Sequence, residues 1–263
     1  MPILDSITFA YERAAVGLFN DLIFEAQAIF ALLATADLAW SLIVWARKGR
    51  GALVIDLGTR LFVLGLVFFL MRFYLSTIGQ IPAMFVDAAV ELTGLGALRP
   101  SAVFADGISA GTAYYGASND LALMWIPAIL LRLFAMIMTF IAFFLIALRL
   151  IITLVEQHVV LGVGVFFLAF SGSRWTWPIA DGYLRYVLHV AIRLFLLVVL
   201  IDVGRNLAIQ WLVGTGLTSG ISLRELMTLV AGPMAYAWVV WNVPTTLANT
   251  VTAHVHLPSP YAS

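Results

Sequence analysis

Long apolar runs separated by short polar stretches dominate the chain. A helix needs about 20 mostly apolar residues to cross the hydrocarbon core of a bilayer. Segments near 22–45, 52–74, 121–148, 150–171, 183–213 and 225–248 reach that length, so the pattern predicts five or six transmembrane helices. Read as one helix at about 1.5 Å per residue, 121–171 would be far longer than a bilayer is thick. A break around Arg149–Glu156 or at Gly162/Gly164 is therefore expected, or else one helix projecting from the membrane. At the start of the chain Leu4, Ile7, Tyr11, Ala14, Ala15, Leu18 and Leu22 recur at helical spacing, with Asp5 or Ser6 placed as an N-cap. They predict an amphipathic helix at the interface or packed on a neighbour. Residues 79–96 give a second amphipathic segment, with Pro82 near its start. Residues 97–120, rich in Gly, Ser, Ala and Tyr, predict an extramembrane loop.

Composition sharpens this picture. Of 263 residues, 63% are hydrophobic and 11% charged, against about 45–50% and about 25% in soluble domains. A water-soluble enzyme is excluded, and the fold class is all-α: a polytopic membrane protein with interfacial amphipathic helices. The absence of Cys excludes disulfides, thiolate metal sites and Cys nucleophiles. A net charge of zero offers no polybasic arm for nucleic acid. No basic region opens the chain, where Asp5 and Glu12 stand instead, so a secretory signal is not expected. No internal repeat supports an inverted-repeat transporter.

The short loop 46–51 carries Arg47, Lys48 and Arg50, and short basic loops stay cytoplasmic. That predicts an N-terminus on the far side of the membrane, the periplasm if this is a Gram-negative inner membrane, and a five-part layout. Residues 1–21 form a periplasmic amphipathic helix, 22–74 a transmembrane hairpin, and 75–120 a periplasmic loop with an amphipathic helix. Residues 121–215 form a transmembrane core, and 216–263 the last span with a short polar tail.

Ionisable groups at membrane depth cost on the order of 2.5–3.5 kcal/mol each and need partners or water. Asp56 and Arg60 stand four apart and can pair within one helix. Arg149 and Glu156 share a face and fit a helix end or a reentrant turn. Asp37, Arg132 and Asp202 are isolated in apolar runs and would seek partners on other helices. Asp181, Arg185, His189 and Arg193 follow one another at four-residue steps and make one polar stripe. It either lies along lipid headgroups, with Arg193 snorkelling, or faces a water-filled oligomer axis or a partner subunit. His254-x-His256 is a weak metal-like spacing in a polar tail. There is no HExxH, GxSxG or phosphate-binding Gly-rich loop and no close carboxylate pair. No catalytic, cofactor or metal site is predicted.

Residues 156–200 resemble the TrbL family of conjugative-transfer proteins. The likeness rests on Glu156 opening a glycine-punctuated apolar run, then Phe170-Ser171-Gly172-Ser173-Arg174-Trp175-Thr176, then Tyr183, Tyr186 and Arg193-Leu194-Phe195. Upstream it rests on hydropathy and layout alone. The resemblance implies a non-enzymatic inner-membrane subunit of a type IV secretion system, without cofactor. Such a subunit associates as a ring (a pentamer in similar systems), meets a minor-pilin stalk and other inner-membrane components, and handles DNA or protein cargo only indirectly. It supports pilus assembly and substrate translocation. Assembly or substrate-path candidates are Glu156, Gly172, Ser173, Arg174, Trp175, Asp181, Arg185, His189 and Arg193. Arg174 is open to two readings, a helix-end cap or an assembly contact, and Trp175 to a headgroup anchor or the same contact. Many relatives carry a long hydrophilic tail after the last span, whereas this chain ends at HVHLPSPYAS. The alternative function is a small-solute transporter or channel protomer with a site near Asp37, Arg132 or Asp202.

Overall fold

A computed structural model describes residues 3–48, 53–94, 99–116, 126–214, 223–253 and 255. Among them there are seven α-helices and no strand: α1 (Ile3–Lys48), α2 (Leu53–Arg72), α3 (Ile81–Thr93), α4 (Pro100–Gly116), α5 (Ile126–Ala169), α6 (Trp177–Gly214) and α7 (Leu223–Ala253). Single 3-10 turns, Ile78–Gln80 and Phe170–Gly172, precede α3 and follow α5. Among the described residues three stretches have both the length and the apolar run to cross a bilayer: Ile3–Val44, Leu133–Gly172 and Trp177–Leu207. On α2, Leu61, Phe62, Leu66, Phe68 and Phe69 stand exposed, a surface that suits lipid better than water. The chain is an all-α membrane protein.

Two long helices replace expected interruptions. Residues 3–48 are one helix, with no break between the amphipathic start and the apolar run. No Pro interrupts them and Gly17 alone offers a weak point. Residues 126–169 are likewise unbroken at Arg149–Glu156 and at Gly162/Gly164. Gly162 and Gly164 are there for close approach. A Cβ at Gly162 would lie 3.0 Å from Ala15 Cα, and one at Gly164 would collide with the hydroxyls of Tyr74 and Tyr183. At 46 and 44 residues, α1 and α5 are each about 65–70 Å long, against a hydrocarbon core of about 30 Å.

The expected loop at 97–120 is helical over Pro100–Gly116. Pro100 suits a first helical position. Gly107 and Gly111, which resemble loop formers in sequence, sit one turn apart under Phe143 and Phe140. A Cβ at either would come within 2.2–2.3 Å of those rings or their stems. Asp5 does not cap its own helix. Its carboxylate accepts from the Ser101 backbone N–H (3.1 Å) and hydroxyl (2.6 Å), and so caps the start of α4.

The chain folds as two compact units, each drawing on several helices. One comprises residues 1–9, 85–154 and 192–248. Its core joins Val103 of α4, Ala142, Phe143, Ile146, Ala147 and Leu150 of α5, Leu197 and Ile201 of α6, and Tyr236, Ala237 and Val240 of α7. The other comprises residues 10–84, 155–191 and 249–263. Its core joins Ala26, Phe30 and Ala34 of α1, Leu64, Val67 and Met71 of α2, Tyr74 and Ile78 between α2 and α3, Val165, Leu168 and Ala169 of α5, and Tyr183 and Val187 of α6.

Candidate functional site

The second unit is organised around one buried carboxylate. Asp37 lies in an apolar stretch of α1, and its side chain is 2% exposed. Its Oδ2 accepts from Arg60 of α2 at 3.0 Å, and its Oδ1 from Nε of Arg174 at 2.9 Å. Ser41, one turn further along α1, completes the cluster. Its hydroxyl donates to the Asp37 carbonyl at 2.7 Å and accepts from Arg60 at 2.8 Å and Arg174 at 2.7 Å. Among the described residues one negative and two positive groups meet here. Charge-assisted bonds of this kind are about twice as strong as neutral ones. Arg60 thus reaches across to α1; the expected Asp56–Arg60 pair falls on a side chain, Asp56, outside the described residues.

Arg174 reaches this cluster because the chain reverses between α5 and α6. Gly172 permits the approach: a Cβ there would fall 2.8 Å from the Phe30 carbonyl oxygen. Ser173 is extended (φ −139°, ψ 146°), and its carbonyl accepts from the N–H groups of Thr176 (3.2 Å) and Trp177 (2.9 Å). Ser171 and Ser173 are buried. Arg174 is therefore not a helix-end cap. Its guanidinium turns inward to Asp37 and lies 5.6 Å from the Trp175 ring centre. Trp175 is 57% exposed and meets Trp40 edge-on at 5.9 Å.

The stripe on α6 is mostly enclosed. Asp181, His189 and Arg193 are each under one-tenth exposed, so the reading of a basic strip along headgroups with Arg193 snorkelling is corrected. Asp181 and Arg185 form an ion pair. Tyr186 donates to Glu156 and stacks on His189 at 6.1 Å. Thr252 of α7 lies 3.5 Å from His189 Nδ1. Arg185, Tyr186 and His189 open onto a groove of about 560 Å³ shared with Asn249 and Thr252.

In the first unit, Arg149 bonds Thr245 and lies 5.2 Å from the Trp241 ring centre, mid-helix rather than at a helix end or reentrant turn. Asp106 of α4 pairs with Arg205 at 2.8 Å. Its carboxyl is pushed up by partial burial and pulled back by that guanidinium. The Asp106–Arg205 pair, Ser41, and the touching hydroxyls of Tyr74 and Tyr183 all escaped the sequence reading. Only Ser41 left a trace there, as a hydroxyl one helical turn from an isolated Asp. The side chains of Arg47, Lys48 and Arg132, and residues Arg50, His254 and His256, lie outside the described residues. Among the described residues no group of three or more His, Asp or Glu is placed to hold a metal ion.

A family model described as TrbL/VirB6 plasmid conjugal transfer protein matches residues 34–243, well over half of the chain. The matched span contains Asp37, Ser41, Arg60 and Arg174 together with the whole α6 stripe. No curated protein matches the chain.

Proposed function

The chain belongs to the TrbL/VirB6 plasmid conjugal transfer family, a membrane component of a conjugative transfer system, and from that premise we propose that it is an inner-membrane assembly and channel subunit. In this role it is multi-pass with a periplasmic N-terminus. It packs with further copies of itself as a ring and supports stalk or pilus assembly and passage of substrate, without catalysis of its own. The observation that carries the reading is the family match across the charged core. The geometry supports it: both oxygens of Asp37 accept from guanidinium groups and the side chain is almost fully buried, so this carboxylate ties helices together and is shut off from a solute. That weighs against the transporter alternative at its first candidate residue.

Glu156, Gly172, Ser173, Arg174, Trp175, Asp181, Arg185, His189 and Arg193 divide into two roles within this proposal. Gly172, Ser173 and Arg174 seat the reversal between α5 and α6. Trp175, exposed beside Trp40, offers an aromatic contact to a neighbouring subunit. Glu156 and the α6 stripe hold the outer part of the same unit. A donor strain deleted for this gene and complemented in trans tests the role. The expected result is loss of conjugation on deletion and an assembly larger than a monomer in mild detergent. Transfer at the parental level without the gene, or monomer alone in both detergent and nanodiscs, would overturn it.

A further inference from the structure

Two grooves flank Tyr186 in the second unit. One is apolar, about 320 Å³, and lies between α5 and α6 along Val160, Val163, Phe167, Ile179 and Tyr183. The other is the donor-lined groove between α6 and the last turn of α7, with Arg185, His189, Asn249 and Thr252. Tyr186 lines both. Its hydroxyl is held by Glu156 and its ring by His189, so it stands as a fixed ridge between an apolar slot and a polar one.

One guanidinium leaves an edge open to the polar slot. Arg185 is bound by Asp181, yet its side chain stays 31% exposed. Its Nε and the Oδ1 of Asp181 are both enclosed without a hydrogen-bond partner among the described residues, so the exposed part of the guanidinium is what faces the groove. Asn249 and Thr252 add an amide and a hydroxyl at the point where α7 ends. Arginine with neutral donors is a set suited to phosphate oxygens. The apolar slot beside it is lined by aliphatic and aromatic carbon, as a hydrocarbon chain requires.

We infer that the two grooves form a single phospholipid site, with an acyl chain in the slot beside Phe167 and the headgroup phosphate on Arg185, Asn249 and Thr252. Tyr186 separates chain from headgroup. The site requires the membrane setting only and stands apart from the role in transfer: a variant that loses lipid can be read in binding even if conjugation is unaffected.

The test uses full-length protein purified in a neutral detergent and titrated with palmitoyl-oleoyl phosphatidylglycerol under native mass spectrometry. A one-to-one complex is expected. Arg185→Ala should weaken it about tenfold to a hundredfold, the scale of one charge-assisted hydrogen bond. Val163→Trp, which fills the apolar slot and leaves the ion pair intact, should weaken it independently. Both variants must elute as the parent does, and if Arg185→Ala fails to fold, Val163→Trp decides alone. Binding undiminished in either folded variant would overturn the inference. So would inorganic phosphate competing as well as the lipid itself, which would make the polar groove a phosphate pocket with no role for the chain.

Discussion

Replacing Asp37 by Asn keeps the shape and removes the charge. It leaves Arg60 and Arg174 facing each other in a cluster where Arg60 is 13% exposed and Asp37 2%. Removing one partner of a buried ion pair costs about 3–5 kcal/mol, because the remaining charge is stranded. Here two guanidinium groups lose the same carboxylate. Arg174→Ala is a milder change. It leaves the neutral Asp37–Arg60 pair intact and loses bonds from a side chain already 31% exposed, for about 1–2 kcal/mol. At about 2–4 °C per kcal/mol for a chain of this size, Asp37→Asn should lower the melting temperature by about 10 °C and Arg174→Ala by about a third of that. The Asp37→Asn/Arg174→Gln double variant should be more stable than the sum of its single changes, since removing one cation relieves the repulsion created by the first substitution. Thermal unfolding in mild detergent, followed by tryptophan fluorescence, reads all three. Equal shifts for the two single variants, or strict additivity in the double, would refute the idea that one carboxylate balances two guanidinium groups.

Three further outcomes follow from the packing and the turn. Gly107→Ala places a Cβ 2.2 Å from the Cβ of Phe143 and should destabilise by about 1–3 kcal/mol, whereas Gly58→Ala and Gly65→Ala, with nothing within 4 Å, should be neutral or slightly stabilising; the same melting assay separates them. Tyr74→Phe and Tyr183→Phe each leave one buried hydroxyl without its partner, so each should cost about 1–3 kcal/mol, while the double variant should cost less than their sum. Trp175→Ala should change stability by less than about 1 kcal/mol because the ring is largely exposed, yet lower conjugation frequency. Unchanged transfer with Arg174 and Trp175 both replaced by Ala would remove the case for this turn as an assembly contact.

The membrane class was legible from hydropathy, since bulk composition needs no knowledge of which residues meet. The length of α1 and α5 was not. A long apolar run gives no signal for how much of a continuous helix stands clear of lipid, and bilayer thickness suggested breaks that nothing in residues 128–169 enforces. Gly107 and Gly111 misled in the same manner: a glycine that admits an aromatic ring and a glycine that ends a helix are the same letter. Asp37 was visible as a residue in want of a partner. That its partners are Arg60 and Arg174, 23 and 137 positions away, depends on three segments meeting in space. Local spacing gave no hint of this meeting, and for Arg174 it left a helix-end cap and an assembly contact equally open. The burial of the α6 stripe was undetermined for a related reason, because periodicity says that residues share a face and not what that face meets.

The order in which this carboxylate acquires its partners matters during synthesis. The ribosome delivers Arg60 only 23 residues after Asp37, so the first two helices can enter the lipid as an electrically closed hairpin. Arg174 emerges much later and adds a second cation to a pair already neutral. Asp37 thus needs no later segment for its first counter-charge, and the third arm of the cluster joins as a clasp that fastens the returning chain to a foundation already laid.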